Sequence, residues 1–291
     1  MNFNSPMLPV QKISHTAIAA AYLRAAHLLL DAPPWILEDR VALPLLGEDS
    51  AKRILDSAER YQDSGAKTLR SHIVLRSRFT EDRLQAAGRR GVTRYVILGA
   101  GLDTFPLRQP PWAQSMKIYE VDQPATQEEK RRRIRAAGIE VPENVSFLPI
   151  DFEREALLDG LRKAPLSMEQ PAFFSWLGVT MYLNGEAVYE TLRSIAAFPA
   201  GTEIVFTFLQ PPEGNAEKKN APPSSLAQKV AGVDEPFICY LEPKVLGEKL
   251  AALGFTEIYF LSPEEAKDLY YKSRPPDLPI PHRTGIVNAV K

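Results

Sequence analysis

Cys239 is the only thiol in the 291 residues. A single cysteine forms no intrachain disulfide, so a disulfide-stapled scaffold is excluded, and so is a cysteine-based zinc finger. Long apolar runs are missing too. The most apolar N-terminal stretch, Ile18 to Leu30, is broken by Arg24 and His27, and nothing approaches the roughly eighteen residues of a membrane span. The N-terminus lacks the basic-then-apolar order of a signal peptide, so a cytoplasmic protein is expected. Neither sign of charge dominates: 35 Lys+Arg stand against 36 Asp+Glu. Without a basic excess, neither a nucleic-acid nor a membrane partner is expected. The four histidines, His15, His27, His72 and His282, are scattered without ligand spacing, so no metal is expected. There is no internal repeat and no Walker-type GK[ST].

Proline, by contrast, is abundant at 25 residues, and much of it is paired, at 33–34, 110–111, 211–212, 222–223 and 275–276. Each pair forbids regular helix and central strand locally, so the pairs punctuate the chain. The polar segment 210–225, bracketed by two of them, is long for a connection and reads as a lid insertion. The first ninety residues read as a helical cap, with patterns over 16–30, 48–62 and 64–87. The remainder, 91–291, alternates short apolar runs with helical segments. Runs at 94–98, 116–121, 144–148, 171–176 and 202–208 are separated by helical composition at 125–137, 153–163 and 185–197. That alternation implies βαβ units and a parallel sheet covered on both faces. A helix over 243–253, closed by Gly254, and strands at 255–261 and 284–290 complete an α/β, Rossmann-like sheet of seven strands. The last two can pair antiparallel at one edge.

Ligands of such a sheet bind where the strands end at their carboxyl side. The first strand ends in Gly99-Ala100-Gly101-Leu-Asp103-Thr104. Two glycines allow a tight turn and a close approach of backbone to ligand. Yet Thr104 replaces the third glycine of the dinucleotide fingerprint, and Asp103 lies where a pyrophosphate needs positive potential. The second strand ends in Glu120-Val-Asp122, both acids on one face by period-two alternation, placed to accept from the hydroxyls of a ribose. Asp151 and Phe152 close the third strand, an acid for an exocyclic amine and a ring for a base face. Asp151 can equally cap the following helix. Together these features describe a nucleoside site without a phosphate subsite, the requirement of S-adenosylmethionine.

With those residues in place, the chain resembles the leucine carboxyl methyltransferase-like family of class I S-adenosylmethionine-dependent methyltransferases. The resemblance rests on His15-Thr-Ala17, Asp39-Arg-Val-Ala42, Arg76-Ser-Arg-Phe79, the run from Val96 to Thr104, Tyr119-Glu-Val-Asp-Gln-Pro124 with Lys130, Gly178 with Met181-Tyr-Leu183, and Gly254-Phe255. It implies a mostly parallel sheet with an antiparallel last strand and an N-terminal helical cap. It further implies that Arg78, with Arg76 as second choice, holds the methionine carboxylate of the cofactor. Gly99, Ala100 and Gly101 would then lie under the cofactor, Asp122 with Glu120 would take the ribose, and Asp151 with Phe152 would frame the adenine. Two positions depart from the pattern. Leu177 stands where an acid is common, and Phe105-Pro106 where an arginine is. Tyr182, just past the fourth strand, is a candidate for the mouth of the acceptor site. The basic run 130–135 follows Glu128 and Glu129 and reads as a solvated helix face.

The expected activity is O-methylation of a carboxylate or acidic hydroxyl on a small molecule. A carboxylate acceptor is ionised at neutral pH and needs no base, and no base constellation is evident. Methyl esterification of a protein C-terminus, a non-catalytic cofactor-binding protein and a nicotinamide-dependent oxidoreductase are the alternatives, the last opposed by Asp103 and the missing glycine.

Overall fold

The computed structural model describes residues 15–151, 157–164, 166–211, 237–282 and 284–291. Seven strands form one sheet: β1 (Arg94–Leu98), β2 (Lys117–Asp122), β3 (Val145–Pro149), β4 (Phe173–Trp176), β5 (Glu203–Leu209), β6 (Glu257–Phe260) and β7 (Thr284–Val290). Their order across the sheet is β3-β2-β1-β4-β5-β7-β6. The first five are parallel, and β7 lies antiparallel between β5 and β6. The strand order reverses between β1 and β4, which opens a crevice at the carboxyl ends of those strands.

Both faces of the sheet are buried, and this is why the strands read as continuous apolar runs rather than alternating ones. On one face Val96, Leu98, Val121, Phe174, Trp176 and Phe206 pack with Val188, Leu192 and Ile195 of a helix over Gly185–Ala196. On the other, Tyr95, Ile97, Ile118, Phe173 and Val205 meet Val74, Leu75, Phe79, Leu84 and Ala87. These last five belong to one long helix. The N-terminal helices are α1 (His15–Leu30), α2 (Ala42–Leu46), α3 (Ser50–Asp56), α4 (Ala58–Gln62) and α5 (Ser64–Arg89). Asp63 caps α5 by accepting from the Gly65 amide at 2.9 Å. A cap ending at residue 90 therefore shares α5 with the core, since the second half of this helix is a layer of the sheet.

The course of α5 sets which of its residues can reach the crevice. Near its end, Arg83 and Arg90 reach Glu203 at the first residue of β5. The helix thus begins beyond the carboxyl edge of the sheet and descends toward the amino edge. It packs against α1 and α4, and α1 packs in turn against α2 and α3 through a third apolar group that includes Ala21, Ala25, Leu45 and Ile54.

Two buried carboxylates inside the cap are paired. Asp31 receives both prongs of Arg70, each at 2.7 Å, and the His27 Nδ1–H at 2.8 Å, while His27 Nε2 accepts from the Ile36 amide. Asp39 is fully buried and accepts from Arg24 at 2.8 Å and from the Thr104 hydroxyl at 2.7 Å. Burial alone would raise its pKa, but Arg24, Arg108 and Thr104 together hold it below the usual carboxylate value. Arg24 also donates to the Leu102 carbonyl at 2.6 Å, which ties the cap to the loop after β1. No described helix is long and apolar enough to cross a membrane.

Candidate active site

The loop after β1 wraps the end of β2. The amides of Gly99 and Ala100 both donate to the Val121 carbonyl, at 2.8 and 3.1 Å, and the Gly101 amide donates to Asp122 Oδ2 at 2.5 Å. Gly101 has φ +49°, and a Cβ there would stand 2.8 Å from the Ala17 Cβ of α1. Only glycine satisfies both the backbone angle and the contact. The expected residues Gly99, Ala100, Gly101 and Asp122 are therefore one bonded unit. Asp122 is partly buried; burial raises its pKa, and the Gly101 and Gln123 amides offset only part of that. Asp151 follows β3 closely, and the Ile150 amide between them donates to the Asp122 carbonyl at 2.9 Å. Phe152 lies outside the described residues, and of the expected lid only Gln210 and Pro211 are described.

Glu120 shares the face of Asp122 but sits two residues deeper, with no exposed surface. One carboxylate oxygen is bonded to Lys130, while Oε1 has no partner. Burial pushes its pKa up to about 7 despite the Lys130 charge. Lys130 is itself fully buried, which corrects the expectation that the run 130–135 is a solvated face. That expectation holds for Arg132 and Arg133, which pair with Glu129, and for Arg135, which pairs with Glu128. Positions 126, 130 and 134 form the inner stripe of this helix (Pro124–Ala136), so Lys130 turns inward with Thr126 and Ile134.

The helical cap sends its two candidate arginines in different directions. Arg78 is exposed at 48 % of its side chain and pairs with Asp82 one turn on, along the outer face of α5. Arg76, roughly 200° around the helix, turns inward. Its guanidinium lies against Gly178, just past β4: a Cβ on Gly178 would be 2.6 Å from Nη1. Gly178 has φ +74°, so the position is reserved for glycine twice over. Burial, and then repulsion from Arg24, lower the Arg76 pKa to about 10, with Tyr182 and Asp103 acting the other way. The group remains a cation at neutral pH, and its buried Nε has no partner among the described residues. A half-buried guanidinium with so little countercharge is suited to receive an anion.

The fourth strand explains its own departures. Leu177, in place of an acid, packs into the apolar layer on the α5 face. Phe105 is buried against Tyr95 and Trp112, and Arg108, three residues later, pairs with Glu81. Tyr182 lies in a short turn (Thr180–Tyr182), its ring 5.4 Å from that of Phe237 and within electrostatic reach of Arg76. Gly99–Gly101, Glu120, Asp122, Asp151, Arg76 and Tyr182 thus lie toward one edge of the sheet, whereas Arg78 lies on the outer face of α5. His72, one turn before Arg76, is 4 % exposed, and among the described residues neither of its ring nitrogens has a partner.

Comparison with known proteins gives the family and the fold. A model of the family described as leucine carboxyl methyltransferase matches residues 17–196. YktD of Bacillus subtilis, named as an S-adenosyl-L-methionine-dependent methyltransferase, is 29 % identical over 299 residues, covering 96 % of this chain and 98 % of its own. A protein of the same description from Mycobacterium marinum is 31 % identical over 214 residues, 71 % of this chain and 69 % of its own. Among solved structures, one titled as a methyltransferase from Thermobifida fusca superposes with a TM-score of 0.57 at 17 % identity, covering 100 % of this chain and 99 % of that one.

Proposed function

Since the chain belongs to the leucine carboxyl methyltransferase family and is an S-adenosylmethionine-dependent methyltransferase, we propose that it methylates an oxygen of a small-molecule acceptor, a carboxylate or an acidic hydroxyl. The residues at the strand ends fit the cofactor. Asp122, fixed by the Gly101 amide, and the unpartnered Oε1 of Glu120 suit ribose hydroxyls. Asp151, just past β3, would take the adenine amine, and the side-chain-free Gly99 and Gly101 would let backbone approach the ligand. Arg76 replaces Arg78 as the group for the methionine carboxylate. When bound, the cofactor supplies an activated methyl group on a sulfonium. This chain's residues would bind and orient it.

The observation that carries the reading is the under-compensated guanidinium of Arg76 at the end of β4, two strands from Asp122 at the end of β2. Strand spacing separates them by about 10 Å. A cation and an acid at that separation, with no phosphate cradle between them, suit a nucleoside joined to an amino acid. The near-balanced charge of the chain supports a small cytoplasmic acceptor rather than nucleic acid or membrane. Two measurements test the proposal. Calorimetry should show micromolar binding of S-adenosylmethionine or its demethylated product and no binding of NAD. Methyl transfer from labelled cofactor should appear on members of a panel of carboxylic acids and phenols. Tighter binding of NAD, or transfer to nitrogen acceptors only, would overturn it.

A further inference from the structure

The loop after β1 is fastened on both sides of one acid. Leu102 and Thr104 are buried, while Asp103 between them is only partly covered. The Leu102 carbonyl accepts from Arg24 at 2.6 Å, and the Thr104 hydroxyl donates to Asp39 at 2.7 Å. The Asp103 amide turns back onto the Ala100 carbonyl at 2.8 Å. Its own Oδ1 accepts from the Phe105 amide, also at 2.8 Å. Backbone and side chain are thus fixed in advance, with Oδ2 left over for another donor. A carboxylate in a partly desolvated loop needs a cation or donors to offset what it loses from water.

Arg76 approaches the same loop from α5. Its guanidinium lies against Gly178, and the next residue, Val179, is packed on Gly99, where a Cβ would collide with it. The turn after β4 therefore abuts the loop after β1, and Arg76 stands at the seam. The carboxylate charge that reaches Arg76 is that of Asp103, which on its other side reaches Glu120 of β2. Yet no salt bridge joins Asp103 to Arg76. Among the described residues the Arg76 Nε has no partner, and Asp103 is bonded to the Phe105 amide. Opposite charges this close attract, so a pair that stays open is held open. Here α5 holds one member, and the fastened loop holds the other. Such a pair is prepared for a ligand that carries both signs.

We propose that Asp103 receives the ammonium group of the cofactor's amino-acid end, completing a clamp in which Arg76 takes the carboxylate. The proposal rests on the methyltransferase reading above and on Arg76 as its carboxylate partner. An amino acid carries its two charges on one carbon, so its entry between Asp103 and Arg76 gives each side chain its missing partner at once. A pyrophosphate, with negative charge only, would satisfy Arg76 and be repelled by Asp103.

The test is titration calorimetry on the full-length protein with S-adenosylhomocysteine and with its deaminated analogue, the same molecule with hydrogen in place of the amine. Both lack the sulfonium, so the comparison isolates the ammonium. Wild type should bind S-adenosylhomocysteine about tenfold to a hundredfold tighter than the analogue, the range for a hydrogen bond to a charged group. Asp103→Asn keeps an oxygen for the Phe105 amide and should melt as wild type does. It should lose a similar factor on S-adenosylhomocysteine while changing the analogue by less than about twofold. Equal affinity of wild type for the two ligands, a result that needs no variant, would overturn the proposal. So would unchanged S-adenosylhomocysteine binding in Asp103→Asn, or an equal loss on both ligands, which would make Asp103 a support of the loop alone. The wider reading fails separately: wild type would then not bind S-adenosylhomocysteine at all. The carboxylate assignment fails separately too, if Arg76→Gln leaves that affinity unchanged.

Discussion

Replacing Arg76 by glutamine separates a residue kept for a ligand from one kept for the fold. Without ligand, Arg76 is a cation whose Nε is buried and unpartnered and whose pKa burial lowers. A charge in that condition is a burden on the folded state, because desolvation is not repaid. Arg76→Gln should therefore leave the melting temperature unchanged or raise it. With ligand present the sign reverses. Hydrogen bonds to a charged group contribute about 1.5–3 kcal/mol, so cofactor affinity should fall by about tenfold to a hundredfold. Arg78→Gln is the control. Its exposed pair with Asp82 is worth about 0–1 kcal/mol, and cofactor affinity should not move. Calorimetric titration with S-adenosylhomocysteine and a thermal melt on the three proteins are sufficient. Retained affinity in Arg76→Gln, or lost affinity in Arg78→Gln, would refute the assignment. A destabilised Arg76→Gln would mean that the guanidinium already has an anion in the protein.

The same geometry carries further expectations. Asp122→Asn, which keeps shape but loses charge, should weaken cofactor binding by about 1.5–3 kcal/mol in the same titration, with a smaller loss for Glu120→Gln because Lys130 already holds one of its oxygens. Gly178→Ala should put a methyl group on the Arg76 guanidinium at 2.6 Å. Its loss of cofactor affinity should not add to that of Arg76→Gln, as a double-mutant cycle would reveal. For His72 the folded pKa, about 3, lies below the ordinary 6.5. Below pH 6.5 the unfolded chain therefore binds a proton that the folded chain refuses, and stability falls as pH falls toward 3 by about 1.4 kcal/mol per unit. Urea denaturation between pH 6 and 4 should show a shallower fall in His72→Gln than in wild type; equal slopes would mean that the ring is hydrated.

Most of the sheet is legible in the sequence. The apolar runs ending at Gly99, Asp122 and Trp176 are strands with boundaries displaced by no more than two residues, because burial on both faces removes ambiguity from a short β-branched and aromatic run. The glycines and acids at their carboxyl ends are legible for the same reason, since topology alone brings strand ends together. Choices among helix faces are not. Arg76 and Arg78 flank a stripe on which Leu75 and Phe79 are both buried, so local pattern favours neither, and only the packing of α5 on β4 decides. Lys130 hides within a basic run although its spacing from Thr126 and Ile134 marks the inner face. His72 carries one signal, its four-residue spacing from Arg76. Its lack of partners is a property of the assembled cap. The ion-pair network of Asp39 with Arg24 and Arg108 joins the first helix to the loop after β1, beyond the reach of any local rule.

The most direct test of the site is a crystal structure of the protein with S-adenosylhomocysteine. The expected result is a ligand along the ends of β1, β2 and β4, with its carboxylate on Arg76 and its ribose hydroxyls on Asp122. A carboxylate held by Arg78, or a ligand bound away from the Gly99–Gly101 loop, would contradict the account.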